Sequence, residues 1–248
     1  MILKKLKDKI INILYPENFK CCCCSKEIPA TNNSTYLCKD CYENLSVISG
    51  KVCLRCSEPL FSEAKFCLRC KTTKFSFSHA YAFGLYDGNI KKLIHNFKFN
   101  NKPYLSKCFA SMLNSAYVFN IVPKHKIDCV TYIPLHQERF KKRGYNQSEL
   151  LAQDFCKITN LPLYKNLLIK VNKTKPQAML NITERKINLK NAFKVTFKKI
   201  IKNKTVLLLD DIFTTGSSCE ECAKQLMKSG AKEVIVLTVA HTYLNVIK

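Results

Sequence analysis

The apolar positions along this chain change period several times, and each change marks an element. Residues Ala80 to Tyr86 alternate as a half-buried strand does and end in Asp87-Gly88, a turn signal. Leu93, Ile94 and Phe97 then share one face of a helix over 90–99, and a second helix is expected over about 103–119, after Pro103. Ile127 to Ile133 reads as a buried strand stopped by Pro134. A helix starting near Asn146 carries Leu150, Leu151 and Phe155, and a short strand is expected near 161–164. The polar segment 172–190 has no clear period. A compact apolar run at 205–209 predicts another buried strand; helical spacing over 217–229 follows, with Gly230 as its cap, then a strand over 233–239. Strands alternating with helices predict an α/β domain with a mostly parallel sheet flanked by helices.

The N-terminal third has a different pattern. Ten of the fifteen cysteines lie between residues 21 and 70, as four CxxC pairs with Cys22 and Cys23 to spare. Each CxxC can put two thiolates on one metal ion, and two such knuckles complete a tetrahedral site. Four pairs allow two zinc ions. The favoured pairing is sequential, with Cys21, Cys24, Cys38 and Cys41 on one ion and Cys53, Cys56, Cys67 and Cys70 on the other. Interleaved pairing is the alternative, and the Cys21–Cys24 run admits a register slip. Four thiolates leave no open position for a substrate, so the expected role is structural. A redox dithiol fits less well, because such CxxC motifs occur singly. Exposed Arg55, Arg69, Lys65, Lys71 and Lys74 are candidates for nucleic-acid contact, a face that a purely structural ribbon would leave to solvent.

Composition bounds the remainder. The chain has 248 residues, enough for one α/β domain and a small appendage. No apolar run approaches the roughly 20 residues of a membrane span, and the N-terminus lacks a signal-peptide apolar region, so a cytoplasmic protein is expected. Residues 1–19 are expected to form a basic amphipathic helix with Leu3, Leu6, Ile10 and Ile13 on one face. Packing against the body is the favoured reading, with attachment to a membrane surface as the alternative. The formal net charge of +23 points to an anionic partner, although the 41 basic residues include only five arginines and part of the excess is lysine-rich coding habit. Its distribution says more: residues 165–204 hold twelve Lys or Arg against Glu184 alone.

The candidate chemistry sits at residues 206–218, Val-Leu-Leu-Leu-Asp-Asp-Ile-Phe-Thr-Thr-Gly-Ser-Ser. Two carboxylates end an apolar run, a turn of small hydroxyl residues follows, and a helical pattern begins. In open α/β sheets, ligands bind at the carboxyl ends of the strands. The turn can aim backbone N–H groups and the hydroxyls of Thr214, Thr215, Ser217 and Ser218, around Gly216, at a phosphate on the helix N-terminus. Asp210 and Asp211 are placed to accept hydrogen bonds from vicinal sugar hydroxyls. Together they describe a sugar-phosphate site. A second basic loop, His136 to Gly144, lies between a strand and a helix. Arg139, Lys142 and Arg143 suit pyrophosphate oxygens, and Gly144 lets the backbone bend around an anion. Lys175, Gln177, Arg185 and Asn188 lie in the aperiodic segment and are candidates for a lid over the site; a plain surface connection is the alternative.

The 206–218 stretch resembles the phosphoribosyl-pyrophosphate (PRPP) motif of type I phosphoribosyltransferases. In those enzymes the acidic pair holds the ribose 2′ and 3′ hydroxyls and the loop holds the 5-phosphate. The wider order of motifs resembles the ComF (ComFC) family over residues 15 to 241. It comprises the cysteine ribbon, Tyr86-Asp87-Gly88 leading to Lys98-Phe99, and Ile133-Pro134-Leu135 with Arg139. Arg143-Gly144-Tyr145-Asn146-Gln147 follows, then Thr174, Gln177, Glu184-Arg185, Asn188, Asn191-Ala192-Phe193 and the PRPP motif. Tyr132-Ile133 and Ser217-Ser218 are conservative departures. The resemblance implies a type I phosphoribosyltransferase fold over 78–248 behind a small double zinc ribbon over 20–77. It implies binding of PRPP with Mg²⁺, and handling of single-stranded DNA during uptake alongside a helicase-like partner. An active phosphoribosyltransferase with an unassigned acceptor, or a PRPP-sensing regulator, is the alternative.

Overall fold

The computed structural model describes residues 19–28, 36–135, 140, 144–171 and 189–243. Most of the expected N-terminal helix, the basic loop residues Arg139, Lys142 and Arg143, and Lys175, Gln177, Arg185 and Asn188 lie outside these residues.

The cysteine-rich part is built twice on one plan. In the first copy, β1 (Phe19–Lys20) and β2 (Glu27–Ile28) pair antiparallel around the Cys21–Cys24 knuckle, and α1 (Lys39–Glu43) starts from Cys38 as its N-cap residue. In the second copy, a Val52–Pro59 bridge brackets the Cys53–Cys56 knuckle, and α2 (Leu68–Thr72) starts from Cys67. Each knuckle turns through a serine in the left-handed region, Ser25 and Ser57, and closes with a hydrogen bond from that serine's N–H to the first cysteine's carbonyl.

The body begins at β3 (His79–Leu85), followed by α3 (Gly88–Phe99), capped by the Asp87 carboxylate, and α4 (Leu105–Ala116), which runs into a π-helical turn at Tyr117–Ile121. Next come β4 (Cys129–Tyr132) and α5 (Gln147–Thr159), capped by Asn146. β5 (Leu168–Lys170) and β6 (Phe193–Val195) form a small antiparallel pair. The chain then runs through β7 (Thr205–Phe213), α6 (Ser217–Lys228) and β8 (Glu233–His241). The central sheet is parallel throughout, in the order β3-β8-β7-β4.

Both faces of this sheet are buried, which explains why its strands read as apolar runs. In β7, Leu207 and Leu209 face a core shared with α3, α4 and α5; Val206 and Leu208 face the opposite core, under α6, β5 and β6. β8 divides in the same way, with Ile235 and Leu237 on one side and Val234 and Val236 on the other. The α/β class, the parallel sheet flanked by helices and the N-terminal ribbon are as the sequence implies. Local readings change at three places. The strand expected over 205–209 continues to Phe213, the strand expected near 161–164 is a single parallel bridge from Leu163 to Val130, and the helix expected to 119 becomes π-helical after Ala116.

The ribbon docks on the edge of the sheet. Leu85 donates its N–H to Ser46 O at 2.7 Å, Ile48 donates to Phe83 O at 3.1 Å, and Ala80 donates to Arg55 O at 2.7 Å. Gly84 permits this approach: a Cβ there would stand 2.6 Å from Ser46 O and 2.4 Å from Ile90 Cδ1.

Candidate functional site

A cleft of about 180 Å³ opens at the carboxyl ends of β7 and β4, where an α/β sheet binds its ligands. Asp210, Asp211, Thr214, Gly216, Ser217 and Ser218 form one side. Ile133, Pro134 and Leu135, leaving β4, and Asn146, Gln147 and Ser148, opening α5, form the other. The described residues on either side of 136–143 therefore line the cleft.

The two aspartates lie within the strand, so successive side chains leave its opposite faces. Asp211 is buried at 7 % exposure and meets Lys98, in the last turn of α3, through both carboxylate oxygens at 2.9 and 2.8 Å. Asp210 accepts from Ser148 Oγ at 2.8 Å and from the Asp211 N–H at 2.9 Å. Burial, and then the charge of Asp211, raise the Asp210 carboxyl to about 7; Lys98 and the two hydrogen bonds pull in the opposite direction.

After Phe213 the chain turns through Thr214 and Thr215 to Gly216, which has φ +76° and precedes the first turn of α6. Only glycine fits there, because an added Cβ would lie 2.7 Å from the Phe213 ring. Thr215 Oγ1 and Ser217 Oγ are 2.8 Å apart, and the Thr215 side chain is buried under the turn. The first N–H groups of a helix have no carbonyl within the helix, so the twelve-residue α6 presents donors and the positive end of its dipole to the cleft. Of the five loop residues expected to hold a phosphate, four line the cleft and Thr215 supports the turn from below. Gly144 is in the left-handed region at φ +77°, and its N–H bonds to Phe140 O.

Lys98, Ser148 and Lys170 line the cleft with no chemical role assigned by the sequence, although Lys98 belongs to the Lys98-Phe99 motif of the family resemblance. Nothing in their local sequence links them to Asp210 or Asp211, which lie 62 and 113 residues from Ser148 and Lys98 respectively. Arg69 is a correction. Expected as an exposed ribbon residue for nucleic acid, it is largely buried and donates from Nη1 to Thr214 O at 2.8 Å and from Nη2 to Glu58 at 2.9 Å.

The cysteines gather in the sequential arrangement. The sulfurs of Cys21, Cys24, Cys38 and Cys41 lie within 4.8 Å of one another, as do those of Cys53, Cys56, Cys67 and Cys70. Cys24 Sγ to Cys38 Sγ is 3.7 Å and Cys56 Sγ to Cys67 Sγ is 3.6 Å. The edge of a tetrahedron with Zn–S bonds of about 2.3 Å is about 3.8 Å, so the donor sets fit zinc. No cysteine is in a disulfide. Within the second cluster, hydrogen bonds from Cys56 and Cys70 pull the Cys53 thiol down, while Cys53 and Cys70 push Cys56 up. That competition for protons ends when four thiolates share one cation.

Residues 10–71 match the double zinc ribbon domain family. Over 227 residues the chain is 31% identical to competence protein F of Haemophilus influenzae, covering 90% of this chain and 97% of that protein. The chain belongs to the competence protein F family. This ComF-family chain is also 27% identical to the DNA utilization protein YhgH of Escherichia coli, over 77% of its own length and 84% of the relative's. It is 26% identical to competence protein ComFC of Bacillus subtilis, over 78% and 79%. Among solved structures, the ComF-family chain aligns with the glutamine PRPP amidotransferase of B. subtilis at 19% identity and a TM-score of 0.35, covering 56% of this chain and 26% of that one. The adenine phosphoribosyltransferase of Leishmania donovani aligns at 14% identity and a TM-score of 0.35, covering 58% and 55%.

Proposed function

We propose that the cleft binds PRPP, and that the protein couples this binding to the handling of single-stranded DNA during DNA uptake. The observation that carries the PRPP reading is the juxtaposition of two strand-end carboxylates with a hydroxyl-lined loop on a helix N-terminus, in one cleft. Asp210 and Asp211 accept from the ribose hydroxyls, and Thr214, Gly216, Ser217 and Ser218, supported by Thr215, hold the 5-phosphate. Arg139, Lys142, Arg143 and Gly144, which lie in sequence between the cleft-lining segments 133–135 and 146–148, take the pyrophosphate. Lys175, Gln177, Arg185 and Asn188 close over the ligand. Mg²⁺ would accompany PRPP and would offset the charge of its pyrophosphate. The two Cys₄ clusters hold structural zinc.

DNA handling rests on the names of the relatives and on charge. Competence protein F, ComFC and the DNA utilization protein are its sequence relatives, and twelve cations crowd residues 165–204. In this reading the protein acts in the cytoplasm beside a helicase-like partner. The acidic pair argues for PRPP in the cleft, since DNA lacks the 2′ hydroxyl that such a pair would use. PRPP turnover, through departure of pyrophosphate stabilised by the basic loop, is the enzymatic form of the same reading.

A paired titration tests it. Wild type should bind both PRPP–Mg²⁺ and single-stranded DNA, and Asp210→Asn with Asp211→Asn should lose PRPP while keeping DNA. Unchanged PRPP affinity in the double variant would overturn the site assignment. Pyrophosphate release on mixing with candidate acceptors reports turnover.

A further inference from the structure

Arg69 sits between Cys67 and Cys70 in α2, so the fold of the second cysteine cluster sets the direction of its side chain. That side chain leaves the ribbon and ends in the phosphate loop. Its guanidinium donates to Thr214 O at 2.8 Å, is held by Glu58 at 2.9 Å on the other side, and lies 5.5 Å over the Phe213 ring. Phe213 is the residue against which Gly216 turns. On its other contacts Phe213 packs edge-on against Phe77 at 6.0 Å and stacks on His241 at 5.0 Å. A second link ties the last residues of the ribbon to the helix behind the loop. Ser76 donates its N–H and hydroxyl to the Glu220 carboxylate at 2.6 and 2.8 Å, in the first turn of α6.

The Thr214 carbonyl therefore has its orientation fixed by a ribbon residue 145 positions away in sequence. In a trans peptide the Thr215 N–H points opposite to the Thr214 carbonyl, so holding that carbonyl toward the ribbon fixes the whole peptide unit that leads into the Gly216 turn. The link is one-sided. The first cluster's equivalent position carries Asp40, whose side chain pairs with Lys26 at the surface.

We infer that Arg69 is a positioning residue for the anion loop, and that metal in the second Cys₄ cluster governs ligand affinity in the cleft through it. Arg69 stands outside the residues that line the cleft. It holds the loop in its binding shape only while the Cys67–Cys70 turn is fixed, and a cluster that has lost its metal releases that turn. The inference rests on the cleft being the PRPP site and assigns that site a control by zinc.

The test uses the full chain with its metal in place. Three proteins are compared: wild type, Arg69→Ala and Arg69→Lys. Each is measured for zinc content, for PRPP–Mg²⁺ affinity and for amide exchange across 213–218. Both variants should retain two zinc ions per chain. Arg69→Ala should bind PRPP at least about tenfold more weakly and exchange faster at 214–218; Arg69→Lys should fall between, because one ammonium cannot reach Thr214 O and Glu58 together. Mild chelation that removes one zinc from the second cluster should speed exchange across 214–218 in wild type and add little in Arg69→Ala, since the two act in one chain of contacts. Wild-type affinity and wild-type exchange in Arg69→Ala would overturn the inference. Faster exchange at 214–218 in the variant, with no PRPP binding by wild type, would support the strut and sink the PRPP reading instead.

Discussion

Asp210 and Asp211 are adjacent in sequence and opposite in surroundings. Asp211 is paired with Lys98, whereas burial, and then its neighbour's charge, raise the Asp210 carboxyl from its ordinary value of 3.8 to about 7, against the pull of Lys98 and two hydrogen bonds. The sign follows directly. A carboxyl raised by folding stabilises the native state when protonated, and that contribution is lost as pH rises from about 4 through about 7. Asp210→Asn should therefore resist heat better than wild type at pH 8 and show little advantage at pH 4, checked by melting temperatures across that range. Ligand binding should run the opposite way. An ionised Asp210 accepts from hydroxyls, so PRPP affinity should climb between pH 6 and 8 in wild type and be weak and flat in Asp210→Asn. The acidic pair itself was legible in the sequence, because two carboxylates after four apolar residues interrupt a buried pattern. Its asymmetry was not, because Lys98 and Ser148 reach it only through the fold.

At the level of elements, most periods translated directly. α3, α4, α5 and α6 appear where apolar residues recur at helical spacing, and β3, β7 and β8 where they run together or alternate. The errors have physical causes. The apolar run of β7 ends at Leu209, with Asp210 and Asp211 expected just past the strand, yet both stay in register with β8, Asp210 opposite Thr238 and Ile212 opposite Ala240. Their charges are met by side chains rather than by leaving the sheet. The segment 161–164 has the composition of a strand but contributes one bridge, since Pro162 has no N–H to donate. β5 and β6 were missed because three-residue strands carry too little pattern. The loop after β7 makes its own prediction. Gly216→Ala places an L-residue at φ +76° and a methyl 2.7 Å from Phe213, so it should cost about 1–2 kcal/mol of stability for the backbone alone and lose the 5-phosphate contact. Chemical denaturation and inorganic phosphate competition would measure the two losses separately.

Over the whole molecule, charge and metal set the expected behaviour. Lys198, Lys199 and Lys202 are exposed on and beside one 3₁₀ turn ahead of β7. If they meet DNA phosphates, single-strand affinity should fall linearly on a log–log plot against salt. Replacing all three by alanine should flatten that slope by about 2, at about 0.7 per phosphate. Chelation should release two zinc ions and unfold the ribbon, which has few apolar residues of its own between the knuckles. Zinc content followed against far-ultraviolet circular dichroism would show whether one event accompanies the other. The cysteine spacing announced the two clusters, and the structure grouped them sequentially. What no spacing announced is that the ribbon reaches the loop beside the cleft, because the contact depends on Arg69 pointing inward at Thr214 O.

The docking of Ser46 to Ile48 on β3 has one more consequence. In the parallel sheet β3 is an outer strand, and its outward backbone groups are met by the ribbon. A chain starved of zinc during synthesis would leave that strand, which carries Tyr81 and Phe83, bare as a template for any other extended segment. Its characteristic failure would then be self-association into insoluble material, concentration-dependent and suppressed by adding zinc before folding rather than after.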